Sequence, residues 1–334
     1  MGSEMCIRDS MSNKTYKVIG IGNAIVDVIA NVDDQFISQN NLNKGSMKLV
    51  SKDEAKKLYQ SIKVLDQISG GSAANTVAGL AMFGSKAGFI GKVNNDDLGA
   101  VFKNGLNSLN IDFQLDKTSS ASATGQCLVL ITPDAERTMN TYLGISAELN
   151  ENDIDTALIE KSSITYLEGY LWDPESAKNA MRKAINVAHQ NDGKVAFSLS
   201  DKFCVVRHHE DFRKLVENEI DILFANEDEA KALVQTNDFN STIEFFKNRK
   251  PLTIITRGEK GSCIINKQDV HSIAAQKANK ILDTTGAGDL YAAGFLHGLC
   301  KELPLQECGR LGSIAAAEII SHYGARPEKI AEEF

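Results

Sequence analysis

The chain has 334 residues, of which 43% are hydrophobic and 24% charged, as is usual for a globular protein with a sizeable core. Its formal net charge of −8 argues against general binding to nucleic acid or to an anionic membrane surface. No apolar run approaches the roughly 18 residues of a membrane span. The 6 cysteines form no CxxC pair, so we expect scattered reduced thiols in a cytoplasmic protein.

Residues 1–10 differ from the sequence that follows them. Met11 is a second plausible start, and the leader has no apolar segment of the kind found in a signal peptide. We expect a non-native or disordered leader over 1–10. A single domain over 11–334 should follow, because no repeat, low-complexity tract or linker divides the chain.

The first half of the chain mixes strands and helices. The predicted strands are 17–21, 24–32, 87–93, 126–132 and 137–143, and the predicted helices are 52–63, 73–83 and 98–109. The turn residues 133–136 join the last two strands into a hairpin. Segments 32–49 and 111–143 interrupt the β–α order, and their β character predicts a small sheet that serves as a lid.

The second half alternates regularly between strands and helices. The predicted strands are 164–167, 194–199, 222–225 and 252–256, and the predicted helices are 174–190, 210–218 and 227–234. Repeated β–α units predict a parallel sheet with helices on both faces.

The segment 20–27 resembles a dinucleotide-binding fingerprint, GIGNAIVD. Ile25 stands where the third glycine should be, however, and no acidic residue ends a strand about 20 residues later, so we reject an NAD site. We expect this strand end to present Asn23 and Asp27, whose side chains suit the hydroxyls of a sugar. A solvent-facing aspartate is the alternative.

Gly70 and Gly71 open a predicted helix that carries Ser72 and Asn75. Glycine lets the backbone approach a polyhydroxyl ligand, and the Asn75 amide can both donate and accept hydrogen bonds. A glycine turn followed by a helix cap explains the segment equally well.

Two further polar segments follow predicted strands, where α/β sheets bind ligands. Asn226 and Glu229 suit Mg²⁺ held through water, although acidic residues also favour a helix N-terminus. Thr256, Gly258 and Gly261 form a turn that would pack against a nucleotide, and a plain turn is the alternative. The chain has no Walker A pattern and no zinc-ligand spacing.

The segment 283–289, DTTGAGD, is the most informative motif. Gly286, Ala287 and Gly288 place bare backbone N–H groups at a predicted helix start, where negative charge is favoured. Asp289 follows at once as a carboxylate able to take a proton. This combination suits phosphoryl transfer to an alcohol, and an ordinary glycine-rich loop is the alternative.

Two segments of the chain resemble the signature regions of the ribokinase-like (PfkB) carbohydrate kinases. They are 70–99, GGSAANTVAGLAMFGSKAGFIGKVNNDDLG, and 283–295, DTTGAGDLYAAGF, and the resemblance extends over about residues 16–327. It implies a Rossmann-like three-layer α/β/α domain with a small β lid, and ATP and Mg²⁺ as cofactors.

The resemblance also implies roles for individual residues. Asp289 is the implied base, residues 286–288 the anion hole, and Arg137 of the lid hairpin the contact to the phosphates. The other implied roles are substrate binding by Asp27, Gly71 and Asn75; tuning of Mg²⁺ by Asn226 and Glu229; nucleotide binding by Thr256, Gly258 and Gly261; and a K⁺ site near Asp283 and Thr285.

The substrate is less clearly indicated. Residues 198–203, SLSDKF, replace the Asp-x-Asn-x-Arg string of many sugar kinases, whereas Gly22-Asn23 and 124–127 look like the adenosine kinase branch. We expect an ATP-dependent kinase that phosphorylates a primary hydroxyl of a ribonucleoside. The alternatives are a sugar kinase acting on ribose, fructose or 2-keto-3-deoxygluconate, a nucleoside or sugar sensor, and a scaffold that dimerises through the lid edge. A monomer or a lid-mediated homodimer is expected, with no nucleic-acid or membrane partner.

Overall fold

A computed structural model of the protein describes residues 14–113 and 121–326. The predicted leader lies outside these residues, as does the 114–120 part of the predicted lid. The strands, numbered in chain order, are β1 Tyr16–Ile21, β2 Ile25–Asn31, β3 Met47–Leu49, β4 Asp66–Gly70, β5 Ala87–Ile90, β6 Asp112–Phe113, β7 Gly125–Ile131, β8 Arg137–Tyr142, β9 Ser162–Glu168, β10 Lys194–Ser198, β11 Ile222–Asn226, β12 Leu252–Thr256, β13 Ser262–Asn266 and β14 Asp269–Ile273.

The helices, numbered in the same way, connect these strands. They are α1 Asp34–Gln39, α2 Lys52–Ser61, α3 Ser72–Met82, α4 Asp97–Asn107, α5 Thr156–Glu160, α6 Glu175–Gln190, α7 Lys202–Arg207, α8 His209–Asn218, α9 Glu227–Val234, α10 Phe239–Lys247, α11 Ala287–Cys300 and α12 Leu305–Ile319. None of the helices among the described residues is long and apolar enough to cross a membrane.

The main sheet has the strand order β14-β13-β12-β11-β10-β9-β1-β5-β6. Strands β6, β5, β1, β9, β10, β11 and β12 run parallel to one another, and β13 and β14 extend the edge antiparallel. One apolar core lies on the face covered by α3, α11 and α12, and a second on the face covered by α6 and α8. The predicted three-layer α/β/α architecture is confirmed.

A second sheet has the order β3-β8-β7-β2-β4, and we call it the lid sheet. The predicted hairpin is present as β7 and β8, and β3 also falls within the predicted lid segments. Strands β2 and β4 join the same sheet from outside those segments. Val26, Val28 and Leu128 bury one face of the lid sheet against the helices, while the other face turns to the main domain.

Helices α3 and α11 pack closely, and this contact positions the motifs that they carry. A Cβ added at Gly79 of α3 would lie 2.6 Å from Leu290 Cδ1 and 2.8 Å from Ala293 Cβ of α11. Glycine is therefore required for the two helices to approach each other so closely. The N-terminal turns of α3 and α11, which hold residues 72–75 and 286–289, come together as a result.

Candidate active site

A cleft of about 1240 Å³ opens between the lid sheet and the carboxyl ends of the main-sheet strands. This volume is large enough for two small substrates at once. The ends of five strands supply polar residues to its floor, as expected for an open parallel sheet: Asn23, Glu168, Ser198, Asn226 and Thr256.

The cleft brings together most of the residues that the sequence singles out. Those that line it are Asn23, Asp27, Gly71, Ser72, Asn75, Arg137, Asn226, Glu229, Thr256, Thr285, Gly286, Ala287, Gly288 and Asp289. Gly70, Gly258, Gly261 and Asp283 do not line the cleft directly. Gly70 packs against the carboxylate of Asp27, since an added Cβ would lie 2.7 Å from its Oδ2.

Asp289 lies in the first turn of α11 and is held by two residues of α3. Its Oδ1 accepts a hydrogen bond from Ser72 Oγ (2.6 Å), and its Oδ2 accepts one from Asn75 Nδ2 (3.0 Å). Burial raises the pKa of Asp289, while these two hydrogen bonds and the Arg326 guanidinium oppose that rise. The result is a fixed carboxylate that faces a cleft.

The backbone before Asp289 forms a cup of N–H groups. Gly286 caps α11 in the left-handed conformation (φ 78°), and no side chain caps the first N–H groups of the helix. Gly288 is exposed, and a Cβ added there would meet no atom within 4 Å. The Ala287 N–H donates to Thr284 O (3.2 Å), which leaves the N–H groups of Gly286 and Gly288 to bind an anion next to the Asp289 carboxylate.

Glu168 is a residue of the cleft that the sequence analysis missed. Its carboxylate accepts hydrogen bonds from the Asn23 backbone N–H (2.8 Å), the Asn23 side-chain amide (3.0 Å) and the Ala73 N–H (2.7 Å). It thus ties the end of β1 to the start of α3. Burial raises its pKa to about 7, against the effect of these hydrogen bonds. The sequence did offer one signal for Glu168: it is a charged residue at the end of the buried strand β9.

Asp27 of the lid sheet faces the cleft near two arginines. Burial raises its pKa to about 6, whereas Arg326 and Arg137 act to lower it. Arg326 is a second residue missed by the sequence analysis. Its Nε donates to Ser69 O (2.9 Å) and its Nη1 donates to Ala74 O (2.7 Å).

Arg137 and Asp283 form a buried ion pair between the lid sheet and the segment before α11. Arg137 Nη1 lies 2.6 Å from Asp283 Oδ2, and the two side chains are 11% and 4% exposed. The backbone N–H groups of Thr285 and Gly324 donate to Oδ1 (3.0 Å) and Oδ2 (2.9 Å) of Asp283. The Asp283 carboxylate thus joins the lid sheet, the start of α11 and the segment after α12, and a K⁺ site near Asp283 and Thr285 stays a prediction.

Asn226 and Glu229 form a capping box at the start of α9. Glu229 Oε2 accepts from the Asn226 N–H (2.9 Å), and Asn226 Oδ1 accepts from the Glu229 N–H (2.8 Å). Burial raises the pKa of Glu229 to about 7, and the charges of Asp201 and Asp228 raise it further. This negative cluster fits a hydrated Mg²⁺ that also binds phosphate oxygens. No three acidic, His or Cys residues among 14–113 and 121–326 form a direct metal cage.

Packing requires one of the two glycines in the turn after β12. A Cβ added at Gly261 (φ 80°) would collide with the carbonyl oxygen of Ile273, whereas one at Gly258 (φ 58°) would meet no atom within 4 Å. Thr256 lines the cleft. Of the three predicted nucleotide contacts, the structure therefore places Thr256 at the cleft and explains Gly261 by packing.

The cleft-facing side of the lid sheet is mainly apolar, and the polar side chains that its strands β2, β7 and β8 present there are Asp27, Thr141 and Arg137. Two rows of aligned residues cross this face: Ile68, Asp27, Cys127, Thr141 and Leu49 in one, and Ile29, Val129, Met139 and Met47 in the other. Met47 and Leu49 are 46% and 49% exposed, and Phe203 of α7, which lines the same cleft, is 79% exposed. Exposed apolar side chains in a cleft indicate an apolar part of a ligand.

The buried carboxyls of the cleft predict an unusual dependence of stability on pH. The pKa of Glu168, Glu229 and Asp27 is raised by burial to about 7, about 7 and about 6. A raised pKa means that the folded protein holds these protons more tightly, so stability falls as pH rises from about 4.5 to about 7. Thermal melts of the ligand-free protein should show Tm declining over this range.

A Glu229→Gln variant should flatten that decline, because its amide does not titrate, and raise the free energy of unfolding near neutral pH by up to about 3 kcal/mol. Glu54→Gln is the control. Hydrogen bonds from Ser51 lower the Glu54 pKa to about 2, so its titration lies outside this window. An equal pH slope in the wild type and the Glu229→Gln variant would contradict the prediction.

The chain is similar to known kinases of sugars and nucleosides. The family model described as pfkB family carbohydrate kinase matches residues 18–331. The crystal structure of adenosine kinase from Sinorhizobium meliloti is 41% identical with a TM-score of 0.87, over 94% of this chain and 96% of that one. A probable sugar kinase from Rhizobium etli is 37% identical with a TM-score of 0.87, over 95% and 96%.

Among curated proteins, a 5-dehydro-2-deoxygluconokinase of Listeria innocua is 27% identical over 265 residues, which is 77% of this chain and 82% of that protein. The relatives therefore include kinases named for a nucleoside and kinases named for a sugar acid. The match of the family model over nearly the whole chain, on a fold and cleft of the expected form, shows that the chain belongs to the PfkB family of carbohydrate kinases.

Proposed function

We propose that the protein is an ATP-dependent kinase that phosphorylates the 5′-hydroxyl of a ribonucleoside such as adenosine. The observation that supports this substrate is the apolar face of the lid sheet, opposite a floor of polar strand ends. A nucleoside has an apolar planar base and a polar ribose, and it matches a cleft divided in this way.

In the proposed reaction, the ribose lies between the lid sheet and the start of α3. Asp27 accepts hydrogen bonds from ribose hydroxyls, while Asn23 and Asn75 border the same region. The Asn75 Oδ1 atom is buried and has no partner among the described residues, so it is available to accept one more hydrogen bond. The 5′-hydroxyl then points to Asp289.

Asp289 takes the proton from this hydroxyl as the oxygen attacks the γ-phosphorus of ATP, and the bond from that phosphorus to the β–γ bridging oxygen breaks, so that ADP leaves. In this proposal, the N–H groups of Gly286 and Gly288 hold the equatorial oxygens of the migrating phosphoryl group, and the N–H of Ala287 joins them once it leaves the Thr284 carbonyl. Mg²⁺, when bound through water near Asn226 and Glu229, would neutralise phosphate charge. The remaining contribution of the chain is to position the two substrates and to exclude water.

A sugar-acid kinase is the second candidate, and the curated relatives favour it. A sugar acid carries an oxygen on nearly every carbon and needs a polar partner for most of them. On the cleft-facing side of strands β2, β7 and β8, the polar side chains are Asp27, Thr141 and Arg137, and Arg137 is already paired with Asp283. For this reason we favour the nucleoside.

A substrate panel tests the proposal. ADP release should be measured with adenosine, other nucleosides, ribose, fructose, 2-keto-3-deoxygluconate and 5-dehydro-2-deoxygluconate. We expect kcat/KM for a nucleoside to exceed that for every sugar by roughly 10²-fold or more, because only the nucleoside fills the apolar half of the cleft. A sugar acid that gave the highest kcat/KM would support the second candidate instead.

A Phe203→Ala variant makes the test specific to the base. Stacking of a base on an aromatic ring contributes about 1–3 kcal/mol, so KM for the nucleoside should rise roughly 10-fold while KM for ribose stays the same. Val206→Ala is the matched control, because Val206 lies on the same helix and is 64% exposed but does not line the cleft.

A further inference from the structure

The segment after α12 reaches back to the proposed catalytic residues. A Cβ added at Gly286 would lie 2.9 Å from Ala325 Cβ, so this segment packs directly on the N-terminal cap of α11. The next residue is Arg326, which lines the cleft. Nothing in the local sequence marked this arginine, and the mechanism above does not use it.

Among residues 14–113 and 121–326, the guanidinium of Arg326 binds neutral groups alone. Its two hydrogen bonds reach Ser69 O and Ala74 O, the carbonyls on either side of the turn that begins α3. Its Nη2 is buried and has no hydrogen-bond partner among residues 14–113 and 121–326. Arg326 also has no ion-pair partner in that part of the chain, whereas Arg137 is paired with Asp283.

The positive charge of Arg326 therefore acts on carboxylates that it does not touch. Asp289 and Asp27 both favour its charged form, although burial is the larger effect and lowers the pKa of Arg326 to about 10. In return, Arg326 opposes the rise that burial causes in the pKa of Asp289 and of Asp27. The other ionisable groups around these residues are Glu168 and Tyr166 of β9, Tyr170, Asp283 and Arg137.

We propose that Arg326 is a positioning residue that keeps Asp289 ionised and fixes the turn carrying Ser72 and Asn75. A buried carboxylate needs a nearby positive charge to remain deprotonated, and only the deprotonated form can accept a proton from the hydroxyl. The guanidinium of Arg326 also donates to Ser69 O and Ala74 O, on either side of this turn, and so fixes its position. This inference rests on the proposed role of Asp289 as the base.

The pH dependence of kcat/KM tests the proposal. In Arg326→Gln, the acidic limb should move to higher pH, because the charge that favours ionised Asp289 is gone. The loss relative to wild type should be roughly 10-fold or more near about pH 6 and should shrink towards about pH 8.5. A loss of equal size at every pH would show a purely structural role and overturn the proposal.

A second variant covers the case in which Arg326→Gln does not fold, as judged by circular dichroism. Arg326→Lys keeps the charge but cannot bind both carbonyls as a fork. Its acidic limb should coincide with that of the wild type while its KM rises several-fold, and a shifted limb would contradict the proposal. Arg310→Gln, at a surface ion pair of α12, should match the wild type throughout.

The outcome can be separated from that of the proposed function. If Asp289→Asn retains wild-type turnover, Asp289 is not the base, and both ideas fail together. If Asp289→Asn is inactive but Arg326→Gln shows a loss independent of pH, only the role of Arg326 is wrong. The assay uses whichever acceptor the substrate panel identifies, so an error in the nucleoside assignment does not affect this result.

Discussion

Asp289→Asn is expected to lower kcat by roughly 10²- to 10⁴-fold, because the amide cannot accept the hydroxyl proton. The fold and KM should change little. Asn is isosteric with Asp, and Ser72 can still donate to its oxygen. The amide of Asn75 can rotate so that its Oδ1, which has no partner among the described residues, accepts from the new NH₂ group.

Steady-state assays with each active acceptor, together with a thermal melt, measure this effect. Asp97→Asn is a suitable control, because Asp97 also lies in the first turn of a helix but is exposed and outside the cleft. It should retain wild-type kcat. Wild-type turnover in the Asp289→Asn protein would show that another group removes the proton.

Gly71→Ala is expected to disrupt the substrate side of the cleft and the stability of the fold together. Gly71 has φ 97°, a conformation that alanine rarely adopts, and an added Cβ would collide with the carbonyl oxygen of Asn23. Since that atom belongs to the backbone, the end of β1 and the start of α3 must move apart. We expect a loss of about 2–4 kcal/mol in the free energy of unfolding.

Because the displaced turn carries Ser72, which donates a hydrogen bond to Asp289, the position of the Asp289 carboxylate should change as well. A loss of roughly 10²-fold in kcat/KM is expected, as for a shift of about 1 Å at a catalytic site. Gly84→Ala separates the two causes. Gly84 also has a positive φ of 84°, but an added Cβ there would meet no atom within 4 Å. The control should lose only about 1–2 kcal/mol and keep its activity.

Some site features are local in sequence, and those were predictable. Residues 286–289 lie in one glycine-rich turn, and Asn226 and Glu229 show the spacing of a capping box. Other features depend on residues far apart in the chain. The pairing of Arg137 with Asp283, and the approach of Arg326 to the turn before α3, result from tertiary packing that no local pattern encodes.

The lid sheet shows a different limit of sequence reasoning. A strand with one buried face normally alternates between apolar and polar residues. Strand β2 does not, because Val26 and Val28 pack on the core while Ile25 and Ile29 line the cleft. Both faces carry large apolar residues, so the sequence showed a strand but not the sheet to which it belongs. Strand β4 was not predicted, and β3 was foreseen only as β character somewhere in segment 32–49.

A nucleotide that approaches the protein meets different charges outside and inside the cleft. Inside, Arg137 is paired with Asp283 and Arg326 is buried. At low ionic strength the Debye length is long, and an approaching nucleotide is repelled by a protein with a net charge of −8. Within the cleft, it meets arginines that are shielded from solvent and from dissolved ions. Added salt therefore screens the repulsion outside far more than the attraction inside, and moderate ionic strength favours capture of the anion.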